Sequence, residues 1–206
     1  MENIIIKNSG YIFCHSEYYS VIDIINDQNQ YNISIGTNKF YGEIDSGVFA
    51  ISYLISMYDI IDKRTLFQPL EAVVDGIVVP LSELSMKAAY LDVSNPLFLL
   101  DETIREMVSK GLKSCQSSLS PEDVRELFHI DIQHFERPLR CVGNTKLKAM
   151  AAIAYSNNKD IFCFPWLSYI RYEYLKRYIE DVLGVLESMN KIAILPVTQA
   201  IMPSVK

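Results

Sequence analysis

The sequence predicts one mixed α/β unit with a helical insertion near residues 100–150, and three observations carry that expectation. A short apolar strand at 160–164, a helix-period segment at 169–189 and an apolar strand at 191–197 form a strand–helix–strand crossover, which requires two parallel strands. Farther upstream, an aromatic strand at 39–41, a loop bounded by Gly42 and Gly47, and an apolar segment of helical length at 48–61 follow in the order strand, loop, helix. Asp75-Gly76, set between two β-rich runs over 71–79, is a strong hairpin signal.

From the amino end, 4–6, 11–13, 21–25 and 31–35 are rich in Ile, Val and Tyr and read as strands. The segment 48–61 lacks Gly and Pro, so a buried helix should follow the glycine-bounded loop. After the hairpin, 88–92 resembles a further strand running into Ser94-Asn95-Pro96. The pattern then becomes helical. Residues 101–112 have a helical period, and Ser120-Pro121-Glu122-Asp123 places a capping serine, a first-turn proline and two acids at a helix start. The Ala- and Lys-rich segment 145–156 is a third helix. No repeat or linker interrupts 1–206, so a single domain with an inserted helical subdomain at about 100–150 is expected.

Composition narrows the function classes. Half of the 206 residues are hydrophobic and 21% are charged, which is a globular balance. A net charge of -6 without a dense basic run argues against nucleic acid as a partner. The start, Met1-Glu2-Asn3-Ile4-Ile5-Ile6-Lys7, lacks a secretory pattern, and the apolar stretch 48–61 is too short to span a bilayer, so a cytoplasmic location is expected. Cys14, Cys115, Cys141 and Cys163 have no ligand spacing and are expected as buried thiols. His129 and His134 flank Asp131, but their plainer reading is a polar face, and no metal is expected.

Gly42-Glu43-Ile44-Asp45-Ser46-Gly47-Val48-Phe49 has the glycine spacing of the phosphate-binding loop, GxxxxGK[ST], with its last two residues replaced. It is followed by the Asp75-Gly76 hairpin, by Tyr90-Leu91-Asp92-Val93, by a helical region, and by Cys141-Val142-Gly143-Asn144-Thr145 ahead of a small-residue helix. Ile161-Phe162-Cys163-Phe164 and Lys191-Ile192-Ala193-Ile194-Leu195 then supply two strands. In this order the segments resemble the ATP-binding cassettes of ABC transporters: phosphate loop, hairpin, glutamine loop, helical subdomain, signature, Walker B strand and switch strand. The resemblance covers about residues 1–200. It implies a P-loop NTPase fold, an ABC ATPase-like cassette with a mixed β-sheet core and a helical subdomain. It also implies operation as a dimer that clamps nucleotide between loop and signature.

The departures fall on the chemistry. The phosphate-neutralising lysine of the family is matched by Val48 and the magnesium-ligating hydroxyl by Phe49. Glu43 and Asp45 add carboxylates to a loop that would face a polyanion, and one such like-charge pair at about 4 Å costs roughly 4 kcal/mol at an effective dielectric of 20. Pro165 and Trp166 stand where the resemblance places the metal-holding aspartate and the water-polarising glutamate. Val93 replaces the glutamine, Gln199 the switch histidine and Val142 the signature serine, while Gly143 is kept and Asn144 follows it. The vestigial loop therefore comprises Gly42, Asp45, Ser46, Gly47, Val48 and Phe49, no catalytic residue is expected, and binding of ATP or magnesium is not expected.

The expected role is that of an inactive cassette-like subunit pairing with itself, with an ABC-type subunit or with a membrane permease. The apolar residues Val48, Phe49, Val142 and Trp166 are expected to make a dry, exposed contact face. Alternatives are a nucleotide-binding ABC ATPase with atypical residues, an adenine-binding module without hydrolysis in which Tyr18 or Tyr19 stacks on the base, and an unrelated α/β protein-interaction domain. For an enzyme, Cys14-His15 and Asp131 with His134 are the available groups, and neither forms a nucleophile–base signature.

Overall fold

The computed structural model describes residues 3–7, 10–15, 20–25, 31–43, 46–57, 71–92 and 100–201. Its amino-terminal part is sheet. β1 (Asn3–Lys7) lies antiparallel between β4 (Tyr31–Ser34) and β6 (Glu71–Val74), and β7 (Ile77–Pro80) continues the sheet beyond β6. β2 (Gly10–His15) and β3 (Ser20–Ile25) pair as a separate two-stranded ribbon. The expected hairpin turn forms at Asp75 and Gly76, both at positive φ as a two-residue turn requires, and the Asp75 Oδ1 accepts from the Asn3 N–H at 2.9 Å. That bond ties the hairpin tip to β1.

A second sheet is fully parallel, with β10 (Ile192–Val197) between β5 (Gly36–Tyr41) and β9 (Ile161–Cys163), and β8 (Ala88–Tyr90) beside β9. The 20-residue helix α7 (Tyr169–Ser188) makes the crossover between β9 and β10 that the sequence predicts. Every residue of β9 and β10 is buried because both faces of this sheet are covered. Alternation divides them. Ile161, Cys163, Ile192 and Ile194 point into one core, and Phe162, Ala193, Leu195 and Val197 into another.

The first core is filled by α1 (Val48–Met57), which is apolar around nearly its whole circumference since it lies between the two sheets. Its buried serines are satisfied: Ser56 Oγ donates to the Ser52 carbonyl at 2.6 Å, and Ser52 Oγ reaches the Ile194 carbonyl at 3.5 Å. The second core is helical. α3 (Ile104–Ser114), α4 (Pro121–Leu127), α5 (Ile132–Phe135) and α6 (Lys146–Ser156) join α7 over the opposite face of the parallel sheet.

The predicted helix start at Ser120 is a full capping box with Asp123, and Thr103 with Glu106 makes a second at α3. α2 (Leu81–Lys87) has no counterpart in the sequence reading, because seven residues are too few to display a period. Cys163 is buried as expected. Cys115 and Cys141 are exposed instead, one at the carboxyl cap of α3 and the other at the end of a short 3-10 turn, where the chain turns outward. The Cys14 side chain is not among those described. No described helix is long and apolar enough to cross a membrane.

Candidate functional site

The carboxyl ends of parallel strands are where an open α/β sheet presents its loops to a ligand. β5 delivers the chain to Gly42, β9 to Pro165 and Trp166, and β10 to Thr198 and Gln199, so three of the segments marked by resemblance converge at one end of the parallel sheet. Convergence follows from the register, which pairs Val197 with Tyr41 and Ile194 with Cys163.

The loop is occupied by its own side chains. The Trp166 indole N–H donates to the Gly42 carbonyl at 2.9 Å, and its ring lies 5.5 Å from the Phe49 ring. A side chain at position 42 would run into Ser46 Oγ and come within 2.8 Å of Val48, so only glycine lets the loop fold so tightly onto itself. Ser46 donates through both N–H and Oγ to the Glu43 carbonyl, at 3.2 and 2.5 Å, and its Oγ also accepts from the Val48 N–H at 3.4 Å.

Glu43 closes the loop from the other side. Its Oε1 accepts from the Thr198 hydroxyl and from the Gln199 N–H, the latter at 3.0 Å, while Gly42 N–H donates to the Val197 carbonyl at 3.0 Å. The carboxylate that the sequence would set against phosphate is thus turned onto the end of β10. The Glu43–Thr198 bond joins residues 155 apart, and no sequence pattern marks it.

The expected dry contact face does not form. Val48, Phe49 and Trp166 are 7, 3 and 6% exposed and pack into the α1 core, and Val142 is 3% exposed in the helical core. Apolar side chains at these positions have interior neighbours in the chain itself, and burial there removes their surface from water without a partner. Gly143 takes a positive φ of 54°, and Asn144 Nδ2 donates to the Tyr174 hydroxyl at 2.9 Å. The signature-like turn belongs to the helical core, whereas the loop belongs to the α1 core. Pro165 is half-buried and Gln199 exposed. Asp45, Val93, Tyr18 and Tyr19 lie outside the described residues.

Asp131 and His134 have structural employment, while the side chains of Cys14 and His15 lie outside those described. Asp131 Oδ1 caps α5 by accepting from the Gln133 N–H at 2.7 Å, and His134 Nδ1 lies 3.3 Å from Thr145 Oγ1. Among the described residues no three His, Cys, Asp or Glu side chains gather as a metal site. The buried Cys163 thiol is pushed strongly up by desolvation, which makes it a poor nucleophile.

No family model matches this sequence, and no curated protein matches it. Solved structures do. A dimeric bacterial ABC transporter cassette superposes with a TM-score of 0.61 at 15% identity, over 95% of this chain and 88% of its own. An ABC transporter ATP-binding protein from Pyrococcus furiosus gives 0.60 at 11% identity, over 95% and 90%. The protein cbiO1 of Clostridium perfringens, part of the cbiONQ ABC transporter complex, gives 0.57 at 11% identity, over 96% and 78%. The chain therefore has the fold of the ATP-binding cassettes of ABC transporters, an α/β P-loop NTPase architecture.

Proposed function

We propose that this chain is a catalytically inactive cassette-like subunit of a transport or export system, acting through protein contacts with a second copy, an intact cassette or a membrane permease. The observation that carries this reading is the Trp166 indole, bonded to the Gly42 carbonyl and tilted against the Phe49 ring, so that the loop is tied to the chain's own core. The residues present do not suit a magnesium triphosphate. Val48 brings no charge, Phe49 and Pro165 bring no oxygen for the metal, Trp166 has no basic atom to orient water, and Glu43 sets a carboxylate beside the loop. Support for a transport setting comes from the fold alone. The cassettes that share it include one described as dimeric and one described as part of a transporter complex.

The test is a titration of purified chain with a fluorescent ATP analogue, with and without magnesium, alongside an ATP turnover assay. No saturable binding and no turnover is the expected result. Turnover that persists to homogeneity and disappears on Gln199→Ala would overturn the reading, as would triphosphate located beside Val48 in a soaked crystal. Saturable, magnesium-independent binding without turnover would instead favour a nucleotide-sensing cassette.

A further inference from the structure

α7 turns a long stripe away from the core. Ile170, Tyr174, Arg177, Asp181, Gly184 and Ser188 recur at alternating steps of four and three, which places them on one helix face. Ile170 is 79% exposed and Tyr174 60%; Arg177, Gly184 and Ser188 are exposed, and Asp181 is half-exposed. Gly184 stands inside a helix, where glycine is unfavourable, yet a Cβ there would meet nothing within 4 Å. No described neighbour explains it. Over it opens a cleft of about 540 Å³ bordered by Glu126, Leu127, His129, Glu180 and Ser188.

We propose that this stripe docks a second copy of the chain, α7 against α7 in antiparallel sense. The features lie at matched offsets from Ile179: Arg177 and Asp181 two residues either side, Tyr174 and Gly184 five, Ile170 and Ser188 nine. A two-fold axis at the level of Ile179 brings each feature onto its complement twice, which is the self-complementarity an isologous interface needs. Tyr174 enters the cleft over the partner's Gly184, and Arg177 meets the partner's Asp181. Asp181 binds Lys148 through Oδ2 at 2.7 Å, which leaves Oδ1 to accept from the incoming guanidinium. The Tyr174 hydroxyl accepts from Asn144 and keeps its own proton to donate to the partner's Glu126 or His129. From Ile170 to Ser188 the contact runs about 27 Å along the helix. The symmetric pairing of cation with anion and of ring with gap selects a second copy over an unrelated partner.

The inference rests on the reading of this chain as one that works through protein contacts, and it names the partner and the face. Sedimentation equilibrium of the full chain over a concentration series tests it. Wild type is expected as a dimer, and Tyr174→Glu or Arg177→Glu should each weaken the dimer by at least about tenfold. Mixing Arg177→Glu with Asp181→Lys should restore a dimer, because each chain supplies the sign the other lacks. Since Asp181 also pairs with Lys148, circular dichroism checks the fold of Asp181→Lys. Gly184→Trp, which projects into open space, should block the dimer without touching that pair. A wild-type monomer at all concentrations, or a dimer indifferent to Tyr174→Glu, Arg177→Glu and Gly184→Trp, overturns the proposal. ATP turnover by a chain that still dimerises in this way would sink the functional reading and leave this interface standing.

Discussion

Trp166 is a single side chain in three positions at once: in the α1 core, against Phe49, and bonded to the Gly42 carbonyl 124 residues away. Trp166→Ala should cost about 3–5 kcal/mol of unfolding free energy, through lost burial and the cavity left behind. Trp166→Phe keeps a ring and loses the N–H donor, so chemical denaturation should register a smaller loss, about 1–2 kcal/mol. An undiminished stability in Trp166→Phe would mean that the bond to the loop contributes nothing. Cysteine chemistry also belongs to this scale. Peptide mapping after native alkylation should find Cys115 and Cys141 modified and Cys163 intact until the chain unfolds, because burial holds its thiol protonated.

At the scale of elements, the helical segment depends on carboxylates held as acceptors. Glu106 and Asp123 are lowered chiefly by the backbone N–H groups of Thr103 and Ser120, and Glu122 by the Arg105 guanidinium. A carboxylate whose folded pKa is depressed stabilises the fold above its unfolded pKa, and that contribution is lost as pH falls through the folded value. Circular dichroism should therefore show α3 and α4 weakening only below about pH 4, with neutral and mildly alkaline pH indifferent. Removing the cap by Ser120→Ala should cost about 1 kcal/mol at neutral pH. α7 offers the opposite sign. Gly184→Ala places a methyl in open space on a helix, so the separated chain should gain up to about 1 kcal/mol in thermal or denaturant unfolding. A destabilised Gly184→Ala chain would show that the helix is strained there.

At the scale of the whole molecule, the described residues form two cores divided by one parallel sheet, and alternate residues of β9 and β10 belong to each. Neither core keeps a wall if that sheet is lost, so unfolding should be a single cooperative transition. The chain's one tryptophan reports from the α1 core, and far-ultraviolet dichroism reports mainly the helices of the other. Their denaturation midpoints should coincide, and a separation would assign the helical segment a stability of its own.

Much of this was legible in the residues. The crossover at 160–197, the Asp-Gly hairpin, the Ser120 cap and the glycine-bounded loop before an apolar helix depend on periods, turn chemistry and capping that act within a few residues. The resemblance then matched Val48, Phe49, Pro165 and Trp166 to the family's lysine, metal-ligand and base positions. Where those replacements point was beyond it. Val48, Phe49, Val142 and Trp166 read as an exposed face and prove to be interior, because burial depends on which elements are stacked above them. The turn of Glu43 onto Thr198 and Gln199 was equally hidden, since it needs β5 and β10 paired in register across 155 residues. Sequence alone determined most of the elements and their order, and the resemblance marked Val48, Phe49, Pro165 and Trp166 as the replaced positions. Only the tertiary structure decided what packs against the glycine-bounded loop and which surface stays exposed, because both are set by contacts between segments far apart in the chain.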